Sequence, residues 1–112
     1  MANEIKQVAL YIRVSTDQQA KHGDSLDEQQ YTLNEYVRQQ GNMRVFKTYI
    51  DDGISGQKLY RDEFQKLLDD VKKGRIDTIL FTKLDRWFRN LRHYLNIQEI
   101  LDKNNVTWLA VT

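Results

Sequence analysis

Apolar residues in the first third of the chain change from a continuous run to a helical spacing. Residues 8–12 (Val-Ala-Leu-Tyr-Ile) form an uninterrupted apolar run, which is typical of a strand buried on both faces of a parallel sheet. Ser25 and Glu28 then form a capping box, and apolar residues recur at helical spacing until Gly41. The pattern therefore predicts a strand and then a helix that ends at Gly41.

The same alternation continues to the end of the sequence. Residues 45–50, 78–82 and 106–111 have the composition of strands, and a helical pattern precedes Gly74. The helix predicted between the last two strands is marked by Leu91, Leu95, Ile97 and Leu101. The order βαβαβαβ predicts an α/β fold of three layers, in which helices flank a central, mainly parallel sheet of four or five strands.

Length and charge limit the possible classes of protein. A chain of 112 residues is long enough for one compact domain and too short for two. Its 17 basic and 16 acidic side chains leave a net charge of +1, far from the basic excess of a domain that holds DNA mainly through phosphate contacts. Because cysteine, metal-ligand spacings, an export signal and a long apolar stretch are all missing, we expect an intracellular protein without a metal or cofactor.

Charged residues and one serine follow the predicted strands. The loops after the strands of an open α/β sheet meet at one edge, where ligands bind. Here that edge receives a hydroxyl group and four guanidinium groups, which suit in-line attack on a phosphodiester because arginine binds phosphate oxygens and stays charged. The residues are Arg13 and Ser15 after the first strand, Asp52 and Arg61 after the second, and Lys83, Asp85, Arg86 and Arg89 after the third. The sequence does not identify a general base.

Four short motifs, in this order, resemble those of the serine site-specific recombinases. They are Tyr-x-Arg-Val-Ser-Thr at 11–16, Ser-Leu-Asp-x-Gln at 25–29, Asp-Gly-Ile-Ser-Gly at 52–56 and Lys-Leu-Asp-Arg-x-x-Arg-Asn at 83–90. The resemblance covers essentially the whole chain. Each motif alone is a weak signal, whereas four motifs in the family's order are a strong one.

The resemblance implies a reaction and a role for each matched residue. Ser15 would attack DNA to form a 5′-phosphoserine ester and a free 3′-hydroxyl, and the ester would conserve the bond energy without ATP or a metal. The matched arginines are Arg13, Arg61, Arg86 and Arg89, the matched acidic residues are Asp85 and Asp52, and the matched supporting residues are Gln19, Gln29 and Lys83.

The resemblance also implies partners and a place in a longer protein. The stretch 23–29 and the long loop after Gln19 are most similar to the large integrases and transposases. Residues 1–112 would then be a truncated catalytic domain, without the DNA-binding regions that follow it in the family. The implied partners are double-stranded DNA at recombination sites and further copies of the protein, in a dimer and a synaptic tetramer. The implied location is the cytoplasm, for a bacterial or phage-encoded protein with no membrane contact.

Three other interpretations stay open. A small resolvase or invertase would share the catalytic motifs. A flavodoxin-like domain that binds a phosphorylated ligand would need a glycine-rich turn after the first strand, whereas residues 14–18 are Val-Ser-Thr-Asp-Gln. A non-catalytic interaction domain would be expected to lack some of Ser15, Arg13, Arg86 and Arg89, and all four are present.

Overall fold

A four-stranded parallel sheet forms the centre of the protein. The structure is a computed structural model, which describes residues 5–15, 26–53, 62–82 and 91–111. The strand order is β2-β1-β3-β4, and each adjacent pair is parallel, which confirms the predicted α/β fold. In chain order the elements are β1 (Lys6–Ser15), α1 (Leu26–Gln40), β2 (Met43–Gly53), α2 (Asp62–Lys72), β3 (Thr78–Phe81), α3 (Leu91–Lys103) and β4 (Thr107–Ala110).

The core lies in two layers, one on each face of the sheet. Residues 8–12 of β1 are fully buried, and their side chains alternate between the two layers, as the continuous apolar run predicts. The layer under α1 is built from Val8, Leu10, Ile12, Leu33, Val37 and Leu80. The layer under α2 and α3 includes Ala9, Tyr11, Tyr49, Phe64, Leu67, Val71, Ile79, Phe81, Ile97 and Leu101. Helices therefore cover both faces.

β1 and β2 are longer than the apolar runs that predicted them. The two strands pair along the whole length of β1. Backbone hydrogen bonds form whatever the side chain, so the ladder extends beyond the apolar runs. One residue of β2, Phe46, has no opposite residue, since the register shifts between Val8 and Ala9. This β-bulge lies on an edge strand, and Phe46 is exposed there.

The chain changes direction across the sheet between β1 and β3. From β1 it passes to β2 on one side, and from β2 it returns over β1 to β3 on the other side. Within the described ranges, the ladder between β1 and β3 runs from Val8–Thr78 to Leu10–Leu80, whereas β1 continues to Ser15. The carboxyl ends of these two strands thus flank a topological switch point, the usual ligand site of open α/β sheets.

The ends of the helices follow the predicted glycines, with one addition. Gly41 and Gly74 both have a φ angle of +76°, in the left-handed region that glycine adopts at the end of a helix. Asn105, after α3, has a φ angle of 59° and performs the same function. Asparagine is the non-glycine residue that tolerates this conformation best, and the sequence analysis missed it.

Leu95 does not belong to the buried face of α3. Its side chain is 55% exposed, whereas Ile97 and Leu101 are buried. The buried side of α3 also includes Gln98, whose Oε1 accepts a 2.7 Å hydrogen bond from Nε1 of the half-buried Trp108. The predicted helix is confirmed, and Leu95 lies on its exposed side.

None of the helices in the described part of the chain combines the length and the apolar character that a bilayer span requires.

Two leucines of α3 test the core assignment with the same substitution. Leu101→Ala should lower the free energy of unfolding by about 3 kcal/mol, because it opens a cavity in the layer under α2 and α3. Leu95→Ala, the control on the exposed side, should change it by less than about 0.5 kcal/mol. Urea denaturation followed by circular dichroism measures both, and equal losses would contradict the assignment.

Candidate active site

The carboxyl ends of β1 and β2 carry three of the predicted site residues. Arg13 and Ser15 lie in the last three residues of β1, and Asp52 lies one residue before the end of β2. Ser15 pairs in register with Gly53, and Arg13 pairs with Asp51, so these backbone positions share one edge of the sheet. Arg13 is half-buried, and the side chains of Ser15 and Asp52 lie outside the described part of the structure.

Six other predicted residues lie outside the described residues. They are Gln19, Arg61, Lys83, Asp85, Arg86 and Arg89. Arg61 directly precedes α2 in the sequence, and Lys83 directly follows Thr82. The contacts at the start of α2 and at Thr82 therefore fix where two of these segments join the described fold.

Asp51 fastens the start of α2 to the centre of the sheet. Its Oδ1 accepts a 2.9 Å hydrogen bond from the backbone N–H of Glu63, and its Oδ2 accepts a 3.1 Å bond from the N–H of Phe64. The hydroxyl of Tyr11 donates a third bond, of 2.8 Å, to Oδ2. Asp51 is 4% exposed, so this carboxylate acts as a helix cap that is supplied from a neighbouring strand.

Two consequences follow from the position of this carboxylate. It places negative charge at the positive end of the helix dipole, and it satisfies two N–H groups that have no partner within the helix. It also joins β1, β2 and α2 at one point, because Tyr11 is a β1 residue and packs edge-on against the ring of Phe64 with 5.3 Å between centroids. The start of α2 is thereby held beside β1.

Gln29 connects α1 to the ends of β1 and β3. Its Nε2 donates a 3.4 Å hydrogen bond to the backbone carbonyl of Arg13, and its Oε1 accepts a 3.5 Å bond from the hydroxyl of Thr82. Gln29 is 1% exposed and Thr82 is 3% exposed. This predicted site residue therefore lies between the two strands that flank the switch point.

A second tyrosine–carboxylate pair lies on the same face but serves the scaffold. The hydroxyl of Tyr49 donates a 2.5 Å hydrogen bond to Oδ2 of Asp70, and Asp70 also forms a 3.1 Å ion pair with Arg75. Burial and the hydrogen bond to Asp70 raise the pKa of Tyr49 well above its usual range, so the phenol stays neutral at physiological pH. The pair joins β2 to α2 far along the helix from Asp51.

Asp51 and Thr82 are polar residues of this edge that the sequence analysis did not select. Asp51 carried a usable signal, because it follows Tyr49 at the two-residue period of a strand and so belongs to the same buried face. The motif match predicted the neighbouring Asp52 as a site residue instead. Thr82 carried no signal, since a threonine at the end of an apolar run is an ordinary strand residue.

Comparison with protein families adds a sequence relationship to this geometry. The family model described as "Resolvase, N terminal domain" matches residues 8–112. A protein of Bacillus subtilis (strain 168) named "Putative DNA recombinase" is 36% identical over 104 residues, which are 93% of this chain and 20% of that protein. The chain thus spans a fifth of the length of this relative.

Two solved structures share the fold. The crystal structure of the N-terminal catalytic domain of TP901-1 integrase has a TM-score of 0.79 and 38% sequence identity, and the match covers 95% of this chain and 77% of that one. The crystal structure of a resolvase family site-specific recombinase from Streptococcus pneumoniae has a TM-score of 0.81 and 29% identity, with coverage of 95% and 72%.

The cap formed by Asp51 predicts a graded loss of stability. Asp51→Ala should lower the free energy of unfolding by about 3 kcal/mol, because a buried N–H group, a part-buried N–H group and a buried hydroxyl lose their acceptor. Tyr11→Phe, which removes only the hydroxyl, should cost about 1 kcal/mol. Asp69→Ala, an exposed position of α2, is the control, and a loss as large as that of Asp51→Ala would contradict the capping role. Thermal or urea unfolding measures all three variants.

Proposed function

Because this chain belongs to the family of resolvase N-terminal domains, we propose that it cleaves and rejoins DNA strands in site-specific recombination, with Ser15 as the nucleophile. The observation that carries the proposal is the position of Ser15 at the end of β1, beside the switch point of the sheet. The motif match and the fold lead to the same residue by separate arguments.

The proposed reaction is a transesterification at phosphorus. The Oγ atom of Ser15 forms a bond to phosphorus, and the bond from phosphorus to the 3′ oxygen breaks. The serine proton passes to a base, and the 3′ oxygen leaves as a hydroxyl after it gains a proton. The number of phosphoester bonds is unchanged, so attack by a 3′-hydroxyl on the phosphoserine reverses the step without ATP.

Arginines would supply the electrostatic part of catalysis. Charge on the non-bridging oxygens grows during attack, and guanidinium groups held near them stabilise it. A single arginine contributes on the order of 10³ to 10⁵ in rate in other phosphoryl-transfer enzymes. In this proposal Arg13, Arg61, Arg86 and Arg89 take that role without a metal ion. The other assigned residues are Asp85, which orients an arginine or takes part in proton transfer, Gln19, Gln29 and Asp52, which support the site, and Lys83, which binds a DNA phosphate.

The proposal assigns most of the DNA affinity to regions other than residues 1–112. A net charge of +1 supports this division, because non-specific DNA affinity grows with the number of phosphates that lysine and arginine neutralise. The substrate would be double-stranded DNA at recombination sites, in the cytoplasm of a bacterium. The protein would pair as a dimer and meet a second dimer in a tetramer, as the large integrases of the resemblance do.

Removal of the Ser15 hydroxyl tests the nucleophile. The full-length protein is mixed with supercoiled DNA that carries the recombination sites, quenched with detergent and scored for protein bound covalently to 5′ ends. The native protein should form the adduct and Ser15→Ala should form none, because alanine has no oxygen to attack phosphorus. Thr32→Ala, which removes a hydroxyl of α1 outside the four motifs, is the control and should still form it. An adduct with Ser15→Ala would refute the assignment.

The same assay tests independence from metal and nucleotide. With excess EDTA and without ATP, the native protein should form the adduct at an unchanged rate, because arginine side chains replace the metal and the ester conserves the bond energy. A nuclease that requires magnesium serves as the control that chelation is complete. A rate that falls with EDTA and recovers with added magnesium would contradict this part of the proposal.

A further inference from the structure

Thr82 is a buried polar residue at the carboxyl end of β3. Its hydroxyl lies 3.5 Å from Oε1 of Gln29, and its side chain is 3% exposed. The other end of the Gln29 amide donates to the carbonyl of Arg13 at 3.4 Å. A single amide therefore spans the distance from the end of β3 to the end of β1.

This connection lies beyond the last backbone pair of β1 and β3 among the described residues. The described pairing of β1 with β3 ends at Leu10–Leu80, and both Arg13 and Thr82 lie beyond that pair. Each residue also stands next to predicted catalytic machinery, since Arg13 lies two residues before Ser15 and Thr82 directly precedes Lys83. The hydrogen bonds of the Gln29 side chain therefore join the two strand ends.

The character of the contacts indicates what they contribute. Both distances are at the long end of the hydrogen-bonding range, so each bond adds little net stability. Hydrogen bonds are directional, however, and a buried hydroxyl or amide is costly without a partner. The two hydrogen bonds of Gln29 therefore favour one relative position of the strand ends. Apolar contacts of equal volume would allow a wider range of positions.

We propose that Thr82 is a positioning residue for DNA cleavage, because its contact with Gln29 sets the distance between the end of β3, which Lys83 follows in the sequence, and the end of β1 that carries Ser15. The inference rests on the proposed recombinase function. Thr82 acts through Gln29 and touches no reacting atom in this proposal. It connects the two halves of the site that the sequence keeps about 70 residues apart.

Thr78 provides a matched control within the same strand. It lies on the same face of β3, is 6% exposed, and has its hydroxyl 3.1 Å from the hydroxyl of Thr107. It stands at the amino end of the strand, away from the switch point. Thr78→Val and Thr82→Val thus remove the same chemical group from two buried positions, one at the start of β3 and one directly after its end.

The experiment measures the rate of phosphoserine formation at saturating DNA and, separately, the affinity for DNA. Thr82→Val should lower the cleavage rate about tenfold or more, while the dissociation constant for DNA stays within about twofold of the native value. Thr78→Val should leave both quantities within about twofold of native. Thr82→Ser, which retains the hydroxyl, should restore the rate to within about threefold.

A second pair of variants separates the hydroxyl from packing. Thr82→Ser and Thr82→Ala both lack the methyl group and differ only in the hydroxyl, so they remain informative if Thr82→Val does not fold. Rates are compared below the unfolding temperature of every variant. Faster cleavage by the serine variant supports the inference, whereas equal rates for serine and alanine, or a native rate for valine, overturn it.

The controls distinguish this inference from the proposed function. If the native protein and Thr78→Val form an adduct that Ser15→Ala lacks, the recombinase function holds and the Thr82 comparison decides the inference alone. If an adduct also appears with Ser15→Ala, or if no protein forms one on cognate DNA, the proposed function fails and the role of Thr82 falls with it.

Discussion

The parallel pairing of β1 with strands on both of its sides is the constraint on which the rest of the structure depends. β1 hydrogen-bonds to β2 on one side and to β3 on the other, and its residues 8–12 are buried on both faces. β2 and β3 supply the backbone partners of β1, and α1, α2 and α3 cover its two apolar faces. The end of β1 consequently lies at the point where the chain reverses across the sheet, and the candidate nucleophile lies there with it.

Polar side chains then fix the positions of the start of α2 and of the ends of β1 and β3. Asp51 joins β2 and Tyr11 of β1 to the start of α2, and Gln29 joins α1 to the ends of β1 and β3. These connections sit at the carboxyl edge and leave the apolar layers beneath them undisturbed. The edge is therefore held by directional bonds, and the interior is held by packing, which suits a site that must align groups from several loops.

The sequence predicted those features whose cause is local. The apolar run of β1, the helical spacing of α1 and the glycines at 41 and 74 each act within a few residues, and the structure confirms all of them. The contacts of Asp51 and Thr82 were not predictable in this way, because their partners lie 12 to 53 residues away in the chain. At the candidate site, the motifs identified the candidate catalytic residues. The spacing of apolar residues could not predict which polar side chains would form hydrogen bonds around them.

The β-bulge at Phe46 has a consequence for how the protein meets other chains. β2 is an outer strand with a long row of backbone groups, and such a row is a template for the addition of a strand from another molecule. The extra residue interrupts the regular spacing of those groups and increases the local twist, and the exposed Lys47 beside it adds charge. A flat incoming strand therefore finds a mismatched hydrogen-bonding pattern on this side of the sheet. Growth of the sheet from molecule to molecule through β2 is therefore disfavoured.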